Sequence, residues 1–265
     1  MKDLLIRTFT GISLVILVVA AILAGPLPFL GLNLLLLVLG MKELFILVPA
    51  KKSRNPHLVM ALASGLLIPA VYLVMQVHLS PYLLLFPLGG WLLGLAWAGK
   101  LMPGMLIMWW LAVPLGSFFL LGYVTEPGTY LPLLPLTVII LVWINDTLAY
   151  LVGSSLGRHP MIPRISPGKT WEGTAGGVLG TLAAGFVVHR VTGTWMSGGW
   201  IILSLLTSLL ALAGDLFESS LKRRHQVKDT GGLLPGHGGI LDRFDSLLVV
   251  APVLLLLLTL VKNWP

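Results

Sequence analysis

The sequence predicts an all-α protein, a polytopic helical bundle integral to a membrane, and three observations carry that expectation. Hydrophobic residues make up 57% of the 265-residue chain and charged residues only 10%. Mean hydropathy is +0.96, more apolar surface than a soluble core of this size can hide. Runs such as LNLLLLVLG and APVLLLLLTLV recur at a length suited to a bilayer, which a helix crosses with about 20 mostly apolar residues.

About nine such transmembrane helices are expected, at roughly 4–24, 27–48, 57–78, 81–99, 103–123, 133–152, 173–191, 199–217 and 244–262. They leave two long connections, 153–172 and 218–243, so chemistry belongs on those loops and the helix ends beside them. No internal repeat or low-complexity linker divides the chain. One membrane domain, 1–265, is expected, with 1–130 mainly scaffold and 131–265 the catalytic half.

The first span has Lys2 and Arg7 before its apolar run and Ala21 and Ala24 after it, the layout of a secretory signal. Eight further spans favour an uncleaved first helix instead. The second holds Lys42 and Glu43, a charged pair that is expensive inside a span. It is either a salt bridge near the interface, mutual or to lipid headgroups, or part of an active site. The third to fifth spans add little polar content beyond PAKKSRNP and TEPGT. The sixth contains Asp146 in LVWINDTLAYLVG, and the seventh carries Gly173, Gly176, Gly177 and Gly180 as overlapping GxxxG pairs, which serve close helix packing. The eighth ends in ALAGDLFESSLKRR, where Asp215 and Glu218 are three apart and share a helix face. The ninth opens with ILDRFDS, where Asp242 and Asp245 repeat that spacing.

The net charge of +7 would suggest nucleic acid in a soluble protein, but here its distribution matters more. With the N-terminus cytoplasmic, fourteen of the 17 Lys and Arg fall on inner loops and ends, Lys42 lies in the second span, and only Arg190 and Lys262 fall outside. The positive-inside rule thus expects both long loops in the cytoplasm, beside anionic membrane lipids, with no nucleic-acid partner. The chain has no cysteine, hence no disulfide framework and no thiolate metal site.

Of ten acidic residues, seven (Asp146, Glu172, Asp215, Glu218, Asp229, Asp242 and Asp245) lie in the second half near that face. Carboxylates in hydrocarbon cost about 2.5–3.5 kcal/mol each, so several at one depth need a counterion. Salt bridges would supply one. An all-oxygen ligand set without cysteine, and with histidines not at zinc-like spacing, suits magnesium better than a transition metal. Asp215 and Asp242 are the leading ligand candidates, with Asp146, Glu218 and Asp245 behind them.

The loop from Gly153 contains SPGKT, which resembles a phosphate-binding P-loop but lacks its first glycine, Pro163 standing there instead. Ser166, Gly168, Lys169 and Thr170 still precede a helix N-terminus, which attracts anions. Lys169 is accordingly a phosphate-binding candidate, the plainer reading being an ordinary positive-inside lysine. In the second loop PGHGG, 235–239, lets backbone approach a polyanion. His237, exposed between glycines, is either a phosphate contact or proton donor, or a solvated residue.

Taken in order, these residues resemble the phosphatidate cytidylyltransferases, also called CDP-diacylglycerol synthases. The family signature is met from Ser219 through Lys222, Arg223, Lys228, Asp229, Pro235, His237, Gly238, Gly239, Asp242 and Arg243 to Asp245. GDLFES and the stretch from Asp146 through SPGKTWEG extend the likeness, whereas the first half matches only in hydropathy and length. The resemblance implies a nucleotidyltransferase of phospholipid synthesis that converts CTP and phosphatidate to CDP-diacylglycerol and pyrophosphate. It implies magnesium on Asp215 and Asp242 and leaves room for a second, monovalent cation such as K+. Lys169 and His237 join the two aspartates as catalytic candidates. Ser166, Lys169, Thr170, Lys222, Arg223, Lys228, Gly238, Gly239 and Arg243 are the substrate-binding candidates. The expected location is a bacterial cytoplasmic (inner) membrane with the site facing the cytoplasm, and the small-residue faces would also serve a homodimer. Two other readings stay open: a CTP-dependent polyprenol kinase or a cytidylyltransferase for another lipid phosphate, and an ion-coupled transporter using Asp146, Lys42 and Glu43.

Overall fold

The computed structural model describes residues 2–47, 108–126, 128–194, 197–227, 229–233 and 238–262. Helices α1 (Lys2–Leu23) and α2 (Pro26–Leu47) come first. A π-helical turn (Met108–Ala112) then leads into α3 (Val113–Leu120) and a 3-10 turn (Leu121–Tyr123). Next come α4 (Leu133–Leu156), strands β1 (Pro160–Ile162) and β2 (Ser166–Thr170), α5 (Trp171–Thr192), α6 (Ser197–Arg224) and α7 (Leu241–Lys262). Six of the described helices, α1, α2, α4, α5, α6 and α7, are long and apolar enough to cross a membrane. The expected spans at 57–78 and 81–99, and the first residues of 103–123, lie outside the described residues.

The chain is not purely helical. Within the first long connection β1 and β2 form an antiparallel hairpin, Pro160 opposite Thr170 and Ile162 opposite Ser166. Pro160, Pro163 and Pro167 keep this segment out of a helix, because each lacks an N–H and biases its predecessor away from helical angles.

Helix α6 also runs further than expected, to Arg224 rather than to about 217. From Asp215 to Thr230 the sequence has neither Gly nor Pro to stop it. Glu218, Lys222 and Arg223 are therefore helical, and the second connection shrinks to about residues 225–240. The stop is a Schellman motif: Val227 N–H donates to Lys222 O and Gln226 N–H to Arg223 O, with Gln226 left-handed at φ 59°. A non-glycine residue there costs on the order of 1 kcal/mol. The cations Lys222, Arg223 and Arg224 in the last turn favour the negative end of the helix dipole.

The expected glycine packing is present between α4 and α5. A methyl group on Gly173 would sit 2.6 Å from Ala149 O, and one on Gly177 2.8 Å from Asn145 Oδ1. The helices can approach only because those positions lack side chains. Away from the loops, Phe29 of α2 packs edge-on against Phe118 of α3 at 5.0 Å, and Tyr130 Oη donates to Ile22 O at 2.8 Å. At the opposite end Lys222 of α6 reaches Asp242 of α7, Glu43 of α2 reaches Leu241, and Arg223 reaches Ile165 of the hairpin turn. The functional candidates on α2, α6, α7 and the hairpin thus gather at one end of the bundle.

Candidate active site

A cavity of about 320 Å³ opens between α4, β2, α5 and α6 and is lined by Asp146, Tyr150, Lys169, Thr170, Ser208 and Asp215 among others. Strand β2 delivers Lys169 to it immediately before α5 begins. Thr170 Oγ1 accepts the Gly173 N–H at 3.1 Å and so caps α5. Glu172 in the first turn accepts the backbone N–H groups of Arg158 and His159 at 3.1 and 3.3 Å, and its other oxygen lies 2.5 Å from His159 Nδ1. These bonds pin both ends of the hairpin and so fix the stem of Lys169. Its ammonium lies 2.6 Å from Asp215 Oδ2, and Asp215 Oδ1 accepts the Ser219 hydroxyl at 3.1 Å.

Asp146 on α4 is oriented from two sides. Asn145 Nδ2 donates to its Oδ1 at 3.2 Å and Ser246 of α7 to its Oδ2 at 3.5 Å. Buried Asn145 is itself held by Ser208 of α6, whose hydroxyl donates to Asn145 Oδ1 at 2.5 Å.

A second acid–base centre lies farther along α6. Lys222 Nζ is 2.8 Å from Asp242 Oδ1 and 3.2 Å from Glu218 Oε1. Asp242 also accepts the Gly239 N–H at 2.9 Å and the Thr230 N–H at 3.1 Å, so its carboxylate closes the amide end of α7. Gly238 bends the chain into that position at φ 82°, a conformation glycine adopts without penalty. Glu218 is almost fully buried, and neither of its oxygens accepts a well-directed hydrogen bond. Among the described residues Lys222 is its ion-pair partner.

The two centres share one electrostatic field. Asp245 lies within reach of the charges on Asp215 and Asp146, and Glu218 within reach of Asp245 and Asp242. Among the described residues five carboxyl groups, Asp146, Asp215, Glu218, Asp242 and Asp245, thus gather around two ammoniums, Lys169 and Lys222, in an apolar bundle. Among the described residues no three His, Asp or Glu side chains are already clustered as a metal cage. The donors nevertheless fit a hard divalent cation: they are all carboxylate oxygens, among the described residues they outnumber the ammoniums, and the buried Glu218 oxygens lack a well-directed hydrogen bond beyond the Lys222 ion pair.

The sequence-derived candidates divide accordingly. Lys169, Thr170, Asp146 and Asp215 meet at the cavity, and Lys222, Glu218, Gly239 and Asp242 at the neighbouring centre. Ser166 opens β2 opposite Ile162. Arg223 donates from Nε to Ile165 O at 3.2 Å and from Nη1 to Val227 O at 3.4 Å, tying the hairpin to the end of α6. Arg243 occupies an exposed position in the first turn of α7. Lys228 and His237 lie outside the described residues. Sequence reasoning missed Asn145, Ser208, Ser246 and Thr230; polar residues inside or beside apolar spans were the available signal. Glu43 is not paired with the exposed Lys42. It accepts the N–H groups of Ile240 and Leu241 at 2.8 and 2.9 Å.

A sequence profile of the cytidylyltransferase family matches residues 5–261. The chain belongs to that family. Its similar proteins include a phosphatidate cytidylyltransferase of Bacillus subtilis (strain 168), 47% identical over 122 residues, which are 46% of this chain and 45% of that protein. Another, from Haemophilus influenzae, is 43% identical over 122 residues, 44% of this chain and 42% of the relative. A third, from Staphylococcus aureus (strain COL), is 47% identical over 121 residues, 45% and 46% of the two chains. The chain thus spans a little under half the length of the relatives it matches.

Proposed function

We propose that this member of the cytidylyltransferase family transfers the cytidylyl group of CTP to phosphatidate, giving CDP-diacylglycerol and pyrophosphate. The observation that carries the reading is the pair of acid–base centres, Lys169 with Asp215 and Lys222 with Asp242, gathered at one end of an apolar helical bundle. That is the chemistry needed where a lipid phosphate meets a soluble triphosphate. The names of the similar proteins support the same substrates.

In the proposed reaction a phosphate oxygen of phosphatidate attacks the α-phosphorus of CTP. The new P–O bond forms as the bond to the bridging oxygen of the β-phosphate breaks, and pyrophosphate leaves with that electron pair. The nucleophile is already anionic, so what the protein must supply is alignment and charge compensation. Lys169, in the cavity lining, pairs with an incoming phosphate in exchange for Asp215. Lys222 holds Asp242 and Glu218 in place from α6, and the apolar walls beside Tyr150 and Leu212 receive the lipid. Asp215 and Asp242 would hold magnesium, with Asp146, Glu218 and Asp245 close by and room for a monovalent cation such as K+. Bound there, magnesium would offset the charge gathering on the leaving pyrophosphate. His237 is proposed as a contact to that group, and the loop end of the bundle as its cytoplasmic face in a bacterial inner membrane. Homodimerisation through small-residue faces is part of the same reading.

The test is turnover by detergent-purified protein given labelled CTP, with phosphatidate, lysophosphatidate and a polyprenol as separate acceptors. Labelled CDP-diacylglycerol should form from phosphatidate, stop with EDTA and return with magnesium. Product from the polyprenol alone would overturn the proposal, as would full activity in EDTA.

A further inference from the structure

We infer that Glu43 of α2 is a positioning residue for Asp242, acting through Thr230 and the backbone at the start of α7. Glu43 is the one acidic residue between Asp3 and Glu126, and its side chain is buried to 1% exposure. A carboxylate in such a place needs strong compensation. Three donors provide it: Ile240 N–H at 2.8 Å to Oε1, Leu241 N–H at 2.9 Å to Oε2, and the Thr230 hydroxyl at 3.2 Å to Oε2. Two of them are amides at the positive end of a helix, where a negative acceptor is most favourable.

Glu43 and Asp242 divide the same short piece of backbone. Of three consecutive amides, Gly239 donates to Asp242, and Ile240 and Leu241 donate to Glu43. Thr230 is held from both sides, its N–H on Asp242 and its hydroxyl on Glu43. The fit leaves no slack: a methyl group on Gly231 would stand 2.9 Å from Glu43 Oε1, and one on Gly239 2.5 Å from Oε2. Any displacement of the Glu43 carboxylate therefore moves residue 230 and residues 239–241, which include both amides that hold Asp242. A cap serving stability alone would need only the two helix amides. The shared Thr230 makes Glu43 and Asp242 one assembly, joining α2 to the candidate active site.

The effect on turnover rests on the reaction proposed above, whereas the effect on backbone protection does not. The experiment compares full-length wild type, Glu43→Gln, Thr230→Val, Thr230→Ser and, as a stability control remote from the loop, Phe29→Leu. Gln keeps one acceptor and presents an NH2 group where the second N–H needs an oxygen. Hydrogen exchange by mass spectrometry should show amides 239–241 opening about tenfold more often in Glu43→Gln. Its kcat should fall about 10–100-fold, with KM for CTP changed less than about threefold. Thr230→Val should lose protection and kcat in the same direction, and Thr230→Ser, which keeps the hydroxyl, should restore both. Phe29→Leu should lower Tm without either effect.

Wild-type exchange at 239–241 in Glu43→Gln would overturn the inference, and so would a fall in kcat no larger than in a Phe29→Leu sample of equal Tm loss. Should Glu43→Gln fail to fold, equal behaviour of Thr230→Val and Thr230→Ser would overturn it instead. A wild type inert toward CTP and phosphatidate would sink the proposed reaction, and the exchange comparison would still decide Glu43.

Discussion

Lys169 Nζ stands 2.6 Å from Asp215 Oδ2, a contact that ties strand β2 to α6 across the cavity. Both side chains are partly exposed, at 21% and 31%, so the pair contributes little to stability and is free to exchange partners. Asp215→Asn should therefore leave the purified protein folded but without measurable turnover in the labelled-CTP assay. Lys169→Met should lower kcat/KM by about 10²–10³. The double variant should be no worse than Asp215→Asn alone, because residues acting as one unit are not additive. Near-normal turnover by Asp215→Asn would remove it from the site.

Lys222 poses the opposite balance. It lies between Glu218 and Asp242 with an almost buried side chain, so its removal strands two carboxylates away from water. Lys222→Met should cost about 3–5 kcal/mol, read as a fall in detergent-solubilised unfolding midpoint. Adding Glu218→Gln should recover part of that loss. A Lys222→Met protein as stable as wild type would show that water or another cation reaches these acids freely.

Asn145 and Ser208 form a buried polar contact between α4 and α6. Polar contacts of this kind in membranes average about 0.6 kcal/mol by double-mutant cycles. Asn145→Leu, Ser208→Ala and the combination should give a coupling of that order in unfolding free energy. Asn145→Leu alone should also reduce turnover, since it frees Asp146, whereas Ser208→Ala should reduce it less.

Two glycines separate packing from chain freedom. A methyl group on Gly168 meets nothing within 4 Å, but one on Gly177 runs into Asn145. Gly168→Ala should unfold at the wild-type midpoint, and Gly177→Ala should lose about 1–3 kcal/mol through overpacking. Equal stability of the two would contradict the α4–α5 approach described above.

Hydropathy made most of the described helices legible, and the GxxxG pattern marked the glycine face of α5 for close helix packing without naming α4 as its partner. Family-like spacing brought out Asp215, Lys222 and Asp242, because acids and bases at helical intervals in a greasy chain are conspicuous. The end of α6 was harder to read, since hydropathy falls at Glu218 although nothing in the sequence stops the helix before Gln226. Prolines did stop a helix in the first connection, yet proline content alone could not specify that Pro160–Ile162 would pair with Ser166–Thr170. Glu43 was visible as an oddity, but its partners lie 187 to 198 residues away, and no local pattern encodes such a distance. Glu43 is where the mainly scaffold half meets the backbone around Asp242.

The reach of Glu43 also bears on how the protein is made. Helix α2 leaves the ribosome about 200 residues ahead of α7, so the Glu43 carboxyl enters the membrane before the amides that hold it exist. Until then it needs water, headgroups or an insertion factor for company. Assembly thus includes a docking event in which α7 closes over α2, and a chain stalled before residue 240 would carry the Glu43 carboxyl without its amide partners, open to quality-control proteases.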